Sequence, residues 1–214
     1  MTRRPSLAIP RVRQHVNPLS DRYRAPTAPP QWDSVYADSS QPLLLDIGCA
    51  RGTFLLAMAQ QQPRRNFLGL EIRAALVEDA LRRRDRLGLT NLHFIFCNVT
   101  PSLGPLLASL PVGVLDQVTI QFPDPWFKKR HQKRRVVQPE LVAAIAAHLS
   151  LGGIVFLQSD VESVVVEMGE RFSAHPRFTA TEEKGSPFPI LTEREAMTLE
   201  RGDPVYRLRF TTAN

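Results

Sequence analysis

Cysteine is scarce: Cys49 and Cys97 are the only two in 214 residues. Two free thiols suit a reducing cytosol and exclude a disulfide-framed secreted scaffold. Both read as small core residues rather than reactive groups. No His/Cys cluster has zinc-ligand spacing, so no metal is expected. Long apolar runs are missing as well. The longest, Leu141 to Leu157, is interrupted by His148, Ser150 and Gly152-Gly153, too short and too broken for a membrane span. Arg3-Arg4 is followed by LAIP, which breaks at Pro10, so neither a signal peptide nor a twin-arginine signal is expected. No internal repeat occurs at solenoid spacing. The expectation is a cytoplasmic protein with no membrane contact.

What is present is ordinary in bulk: 43% apolar and 22% charged residues, enough chain for one domain with a short appendage. The charge is less ordinary. The net +6 hides a division. Residues 1–30 carry Arg3, Arg4, Arg11, Arg13, Arg22 and Arg24 against Asp21, a balance of +5. Residues 128–135, KKRHQKRR, carry six Lys/Arg and no acid. The two segments sum to +11, so the remainder is −5. A mildly acidic body with two basic patches fits a polyanionic partner. A charged, solvated face explains the second patch equally well when that patch is taken alone.

Pro5, Pro10, Pro18, Pro26, Pro29 and Pro30 mark residues 1–41 as a basic, flexible arm, leaving 42–214 as the domain. From there the pattern alternates. Leu43–Ile47 reads as a buried strand, Thr53–Gln62 as a helix, Asn66–Glu71 as a second strand and Arg73–Leu87 as an amphipathic helix. Leu92–Cys97 and Leu115–Gln121 are further strands. Pro139 opens a helix that Gly152-Gly153 stops. Ile154–Gln158 is a fifth strand, Val161 to Phe172 a helix, and Val205–Thr211 a terminal antiparallel strand. Strands alternating with helices imply a doubly wound α/β sheet.

Chemistry concentrates in three places. The first strand ends in Asp46-Ile47-Gly48-Cys49-Ala50-Arg51-Gly52. A glycine turn there brings backbone close to a ligand, but Asp46 repels a pyrophosphate. It suits an ammonium or a sulfonium, and S-adenosylmethionine carries both. Glu71, ending the second strand, is placed to take ribose hydroxyls. The third place is Gln121-Phe122-Pro123-Asp124-Pro125-Trp126, after the fourth strand and ahead of the basic run. Its prolines fix the direction of the Asp124 carboxylate. Trp126 can stack on a base, and the basic run can grip phosphates.

This block, FPDPWFKKRHQKRR behind LLDIGCARG, resembles the bacterial single-chain tRNA (guanine-N7-)-methyltransferases. The resemblance extends through Gly69–Arg73, Gln158-Ser159-Asp160, Thr192–Glu195 and Gly202–Phe210, and reaches back to RVRQHVNPLS at 11–20. It implies a Rossmann-like class I methyltransferase with seven strands, mostly parallel, an antiparallel last strand and helices on both faces. It implies S-adenosylmethionine as cofactor and tRNA as partner, with guanine 46 of the variable loop as target. No obligate protein partner is implied, and the chain is expected as a monomer or homodimer. Position by position, it implies cofactor contacts at Asp46, Gly48, Gly52, Glu71, Asn98 and Asp124. Asp124 is the catalytic residue. Lys128, Asp160, Thr192 and Glu195 are substrate contacts, and Lys129, Arg130, Lys133, Arg134 and Arg135 weaker RNA-backbone contacts. Three positions depart from the family pattern: Ala50 for glycine, Phe127 for proline and Arg194 for an aromatic.

Guanine N7 has a lone pair and no proton, so placement rather than a general base is the expected catalytic task. Rival readings are a small-molecule or protein methyltransferase, a non-catalytic RNA-binding protein and a nicotinamide dehydrogenase. The basic tract disfavours the first, the three acids the second and Asp46 the third.

Overall fold

A computed structural model describes residues 16–181, 183 and 185–213. The apolar runs form the strands expected of them: β1 (Leu43–Ile47), β2 (Asn66–Glu71), β3 (Leu92–Phe96), β4 (Leu115–Gln121) and β5 (Ile154–Ser159). Two further strands, β6 (Phe178–Thr181) and β7 (Tyr206–Thr212), follow. Helices α1 (Trp32–Val35), α2 (Thr53–Gln61), α3 (Ala74–Arg86), α4 (Val99–Ala108), α5 (Pro139–His148), α6 (Glu162–Ser173) and α7 (Glu193–Glu200) connect them. The sheet order is β3-β2-β1-β4-β5-β7-β6. The first five strands pair in parallel, and β7 runs antiparallel to both β5 and β6. This is the seven-stranded Rossmann-like class I methyltransferase sheet that the resemblance implies.

The two faces of β1 show how the sheet is covered. Leu43, Leu45 and Ile47 enter one apolar cluster with residues of α4, α5 and α6. Leu44 enters the other, with residues of α2 and α3. Alternation along one strand thus places helices on both faces. All five residues of β1 and all six of β2 are buried, as central parallel strands require. Gly69 is needed for closeness: a Cβ there would lie 2.6 Å from the Phe94 ring and 2.7 Å from Cys49 Sγ. Strand order reverses between β1 and β4, and an open α/β sheet leaves its ligand crevice at the carboxyl ends on either side of such a reversal.

Four labelled elements have no counterpart in the sequence reading: α1, α4, β6 and α7. Helix α4 carries Gly104 and Pro105 in its interior, which local propensity opposes. Burial of Leu103, Leu106 and Leu107 outweighs it.

Residues 16–41, expected as an arm, lie against the body. Trp32 and Tyr36 are buried, stacked with their rings 6.0 Å apart and 8° from parallel. Trp32 Nε1 donates to Ser109 Oγ at 2.9 Å, and Tyr36 Oη donates to the Phe67 carbonyl at 3.1 Å. Thr27 N donates to Ser102 Oγ at 3.0 Å. The arginines at 3, 4, 11 and 13 lie outside the described residues.

Trp32→Ala removes an indole from the core and leaves Ser109 without its donor. We expect a loss of about 3–5 kcal/mol in urea unfolding, the range for a buried aromatic. A loss under about 1 kcal/mol would show that the segment merely rests on the surface.

Candidate functional site

The site begins where β1 and β4 end. Thr119 is the register partner of Asp46, so its hydroxyl lies beside the carboxylate and donates to Oδ1 at 2.7 Å. The Gln121 amide reaches the same oxygen at a long 3.5 Å. Asp46 is 4% exposed, and burial pushes its carboxyl up to about 6, with the charge of Glu71 adding to the effect and the two hydrogen bonds opposing it.

The turn after β1 takes left-handed backbone at Gly48 (φ 85°), Ala50 (φ 50°) and Gly52 (φ 67°). At Gly52 a Cβ would also meet the Phe94 ring at 2.5 Å, so glycine is required twice over. Ala50 accepts a conformation that costs an L-residue roughly 1–2 kcal/mol. Its N–H donates to Glu71 Oε2 at 3.0 Å, which helps to hold it there.

Glu71 is buried at the end of β2. It also accepts Arg73 N at 3.0 Å, Arg73 Nε at 2.9 Å and Arg73 Nη2 at 2.8 Å. Those four bonds fill the capacity of a carboxylate. A ribose hydroxyl that reaches Glu71 therefore displaces part of the Arg73 fork. Arg73 is also held in its charged form by Glu71 and, more distantly, by Asp124.

Beyond β4 the chain turns sharply. Phe122 (φ 49°) and Trp126 (φ 41°) are both left-handed, on either side of Pro123-Asp124-Pro125. For a bulky non-glycine residue each costs of order 1–3 kcal/mol and persists only where the surroundings over-determine it. Phe122 N donates to the Gln158 carbonyl at 2.8 Å, and Arg135 Nε donates to the Pro125 carbonyl at 2.8 Å. The turn exposes Asp124. Trp126 has the Arg134 guanidinium over one face, 5.0 Å from the ring centre, and His131 edge-on at 5.8 Å.

A cleft enclosing about 850 Å³, open solvent at its mouth included, runs across these ends. Gly48, Glu71, Asn98 and Asp124 line it; Asp46 and Gly52 stand behind its wall. Val16 and Pro18 line it too, which nothing in the sequence pattern indicated. The reason is Asn98. Its amide donates to the Pro18 carbonyl at 2.9 Å and the Tyr23 carbonyl at 3.0 Å, while its oxygen caps α4 at Thr100 N. The Asn98 side chain thus holds the N-terminal segment against the cleft that it lines.

Of the other expected contacts Arg134 also lines the cleft, and the rest lie outside its wall. Lys128, Lys129, Arg130 and Lys133 are exposed on the 3-10 turn that follows Phe127. Asp160, just past β5, is ion-paired with Arg194 on α7. Thr192 caps α7, its hydroxyl accepting Glu195 N at 3.1 Å. Glu195 is 0% exposed, paired with Arg207 at 2.8 Å and accepting Gln158 Nε2 at 3.1 Å. Its carboxylate is an internal partner of Arg207 and not a surface contact. Gln158 Nε2 also donates to Gln121 Oε1 at 2.7 Å, so two amides link the Asp46 and Glu195 carboxylates across β4 and β5. Arg135 likewise turns inward, its side chain 9% exposed and paired with Glu167. It is not presented to an RNA backbone. Both cysteines are buried, and burial pushes the Cys97 thiol up to about 12 and raises Cys49 well above its usual value, so neither is a nucleophile. Among the described residues no group of three or more His, Cys, Asp or Glu is placed to hold a metal ion.

Residues 40–208 match the protein family described as "Putative methyltransferase". A tRNA (guanine-N(7)-)-methyltransferase of Trichormus variabilis is 58% identical over 209 residues, 96% of this chain and 97% of that protein. One from Microcystis aeruginosa is 59% identical over 208 residues, 95% of this chain and 99% of that protein. Among solved structures, an rRNA methylase from Streptococcus thermophilus has a TM-score of 0.53 at 12% identity, covering 82% of this chain and 89% of that one. A precorrin-6y C5,15-methyltransferase from Geobacter metallireducens has a TM-score of 0.54 at 13% identity, covering 81% and 80%. Likenesses at that identity show the fold alone.

Burial raises the Asp46 carboxyl from 3.8 to about 6, so between those pH values the folded chain holds a proton that the unfolded chain has released. Stability contributed by this group is therefore lost as pH rises across that window. Asp46→Asn, which does not titrate, should gain on the wild type from pH 4 to pH 7 in urea unfolding of the ligand-free protein. A pH-independent difference would contradict the assignment.

Proposed function

The chain belongs to the tRNA (guanine-N7-)-methyltransferase family, and from that premise we propose that its cleft binds S-adenosylmethionine and transfers a methyl group to N7 of guanine in tRNA. The observation that carries this reading is the juxtaposition of two buried carboxylates, a glycine turn and an exposed aspartate at one sheet edge, beside a basic rim. The residues present fit the cofactor. Asp46, buried and reluctant to ionise, is stabilised as an anion by a cationic group such as a sulfonium or an ammonium, and it repels a pyrophosphate. Glu71 lines the cleft as a ribose acceptor once Arg73 yields. When bound, the cofactor supplies a methyl group activated on a sulfonium.

The chain's own residues do the rest. Asp124 accepts hydrogen bonds from the guanine N1–H and exocyclic amine, which leaves N7 free. Its negative charge offsets the positive charge that grows on the imidazole ring. It stands at the cleft wall for this purpose, in a turn that prolines stiffen. No proton leaves N7, so no base is assigned. Lys128 and Asp160 contact the substrate at the rim, and Asp160 does so by exchanging Arg194 for tRNA. Thr192 and Glu195 contribute by building the start of α7. Lys129, Arg130, Lys133 and Arg134 hold the RNA backbone, joined by the arginines of the N-terminal arm. We assign the variable-loop guanine 46 as the target and the cytoplasm as the compartment. No helix among the described residues is long and apolar enough to cross a membrane.

Labelled S-adenosylmethionine with unmodified tRNA, followed by nucleoside mapping, tests the reaction. Label is expected in 7-methylguanosine at position 46; label elsewhere or none overturns it. Asp124→Ala should lose at least a hundredfold in kcat while keeping cofactor affinity. Cofactor affinity should fall as pH drops below about 6, where Asp46 takes up a proton. A flat profile from pH 8 to pH 5 would remove Asp46 from the cofactor's cationic end.

A further inference from the structure

We propose that Arg135, anchored by Glu167 on α6, is a positioning residue that locks the Pro123-Asp124-Pro125 turn and so aims the Asp124 carboxylate. This rests on the reading of Asp124 as the catalytic group.

Arg135 closes a basic tract of six Lys/Arg in eight residues, and by sequence alone it belongs with the RNA grip. The structure separates it from the others. Its Nε donates to the Pro125 carbonyl at 2.8 Å, one residue past Asp124. Its Nη1 pairs with Glu167 Oε2. Glu167 Oε1 in turn takes Arg171, one helical turn along α6, and Arg171 also donates to the Val137 carbonyl. The guanidinium is nearly sealed, with a side-chain exposure of 9%, and a group so enclosed and so paired has no fork left for a phosphate.

The turn needs such a lock. Pro123 and Pro125 have no N–H with which to anchor themselves. Phe122 and Trp126 both hold strained, left-handed backbone. At the β4 end, the Phe122 N–H is tied to β5. At the far end, the charge-assisted bond from Arg135 ties the Pro125 carbonyl to α6, a rigid element packed on the core. Without it, the strain at Trp126 can relax, and the carboxylate between the prolines moves with it. A displacement near 1 Å at a reacting group costs up to about a hundredfold in rate.

The test uses the full chain and five variants: Arg135→Gln, Arg135→Lys, Glu167→Gln, Lys133→Gln and Asp124→Ala. Methylation kinetics are measured with tRNA and S-adenosylmethionine, and tRNA affinity is measured as a function of salt. Arg135→Gln is expected to lower kcat ten- to a hundredfold, with the KM for tRNA within about twofold of wild type and the salt dependence of binding unchanged. Glu167→Gln should lower kcat in the same sense, because it frees the guanidinium from α6. Lys133→Gln should raise KM and shrink the salt slope by about one, as the loss of a phosphate contact does. Arg135→Lys, able to reach the carbonyl or Glu167 but not both, should recover part of the rate. If Arg135→Gln keeps a normal kcat and loses salt slope like Lys133→Gln, the residue is a phosphate contact and the proposal is overturned. If Arg135→Gln fails to fold, Glu167→Gln decides: a normal kcat there overturns it. A fully active Asp124→Ala sinks the catalytic reading itself, whereas an inactive one beside normal Arg135 and Glu167 variants sinks only this inference.

Discussion

A carboxylate kept out of water at the end of β1 governs the site around it. Asp46 is buried because β1 is a central strand with a helix layer on each face, and its neighbours across the sheet are Gly69 on one side and Thr119 on the other. Neither supplies a cation. The strand that makes the core solid thus also makes its last acid unhappy as an anion. Glu71 on the adjacent strand meets the same dry edge but takes a full complement of donors from Arg73 and the glycine turn. One acid is matched by a cation and the other has only the neutral donors Thr119 and Gln121. That asymmetry gives the cleft a polarity before any substrate arrives.

The sheet was legible in the sequence because central parallel strands announce themselves as short apolar runs between glycines and helices. LLLDI and NFLGLE could be placed nearly to the residue. The elements that escaped were those whose stability is tertiary. Helix α4 has a sequence, VTPSLGPLLA, that disfavours a helix in isolation. Strand β6 buries only Phe178, so its four residues show no alternation that a pattern could detect. Helix α7 is short and polar, and its Thr-x-x-Glu spacing is that of a helix cap as much as of a binding motif.

The site was legible in its chemistry and less so in its contacts. Asp46, Glu71 and Asp124 meet at one edge because three strands end there. Which donors reach them is a matter of angstroms. Arg73 on Glu71, the Gln121–Gln158 bridge and the inward turn of Arg135 have no signature in spacing or charge. Arg135 and Glu195 are the instructive cases. A charged residue in a charged run looks solvated, and only the three-dimensional surroundings show which member of the run has been folded inside.

The segment around Trp32 has a kinetic side. Residues 27 and 32 bond to Ser102 and Ser109, 75 and 77 positions further on, and Asn98 reaches back 80 positions to Pro18. During synthesis at roughly 5–20 residues per second, this segment therefore waits about 4–16 s for docking sites that are made after it. Through that interval Trp32 and Tyr36 are uncovered and apolar. The segment is made before the surface that receives it, and the wall of the cleft is finished only when the two meet.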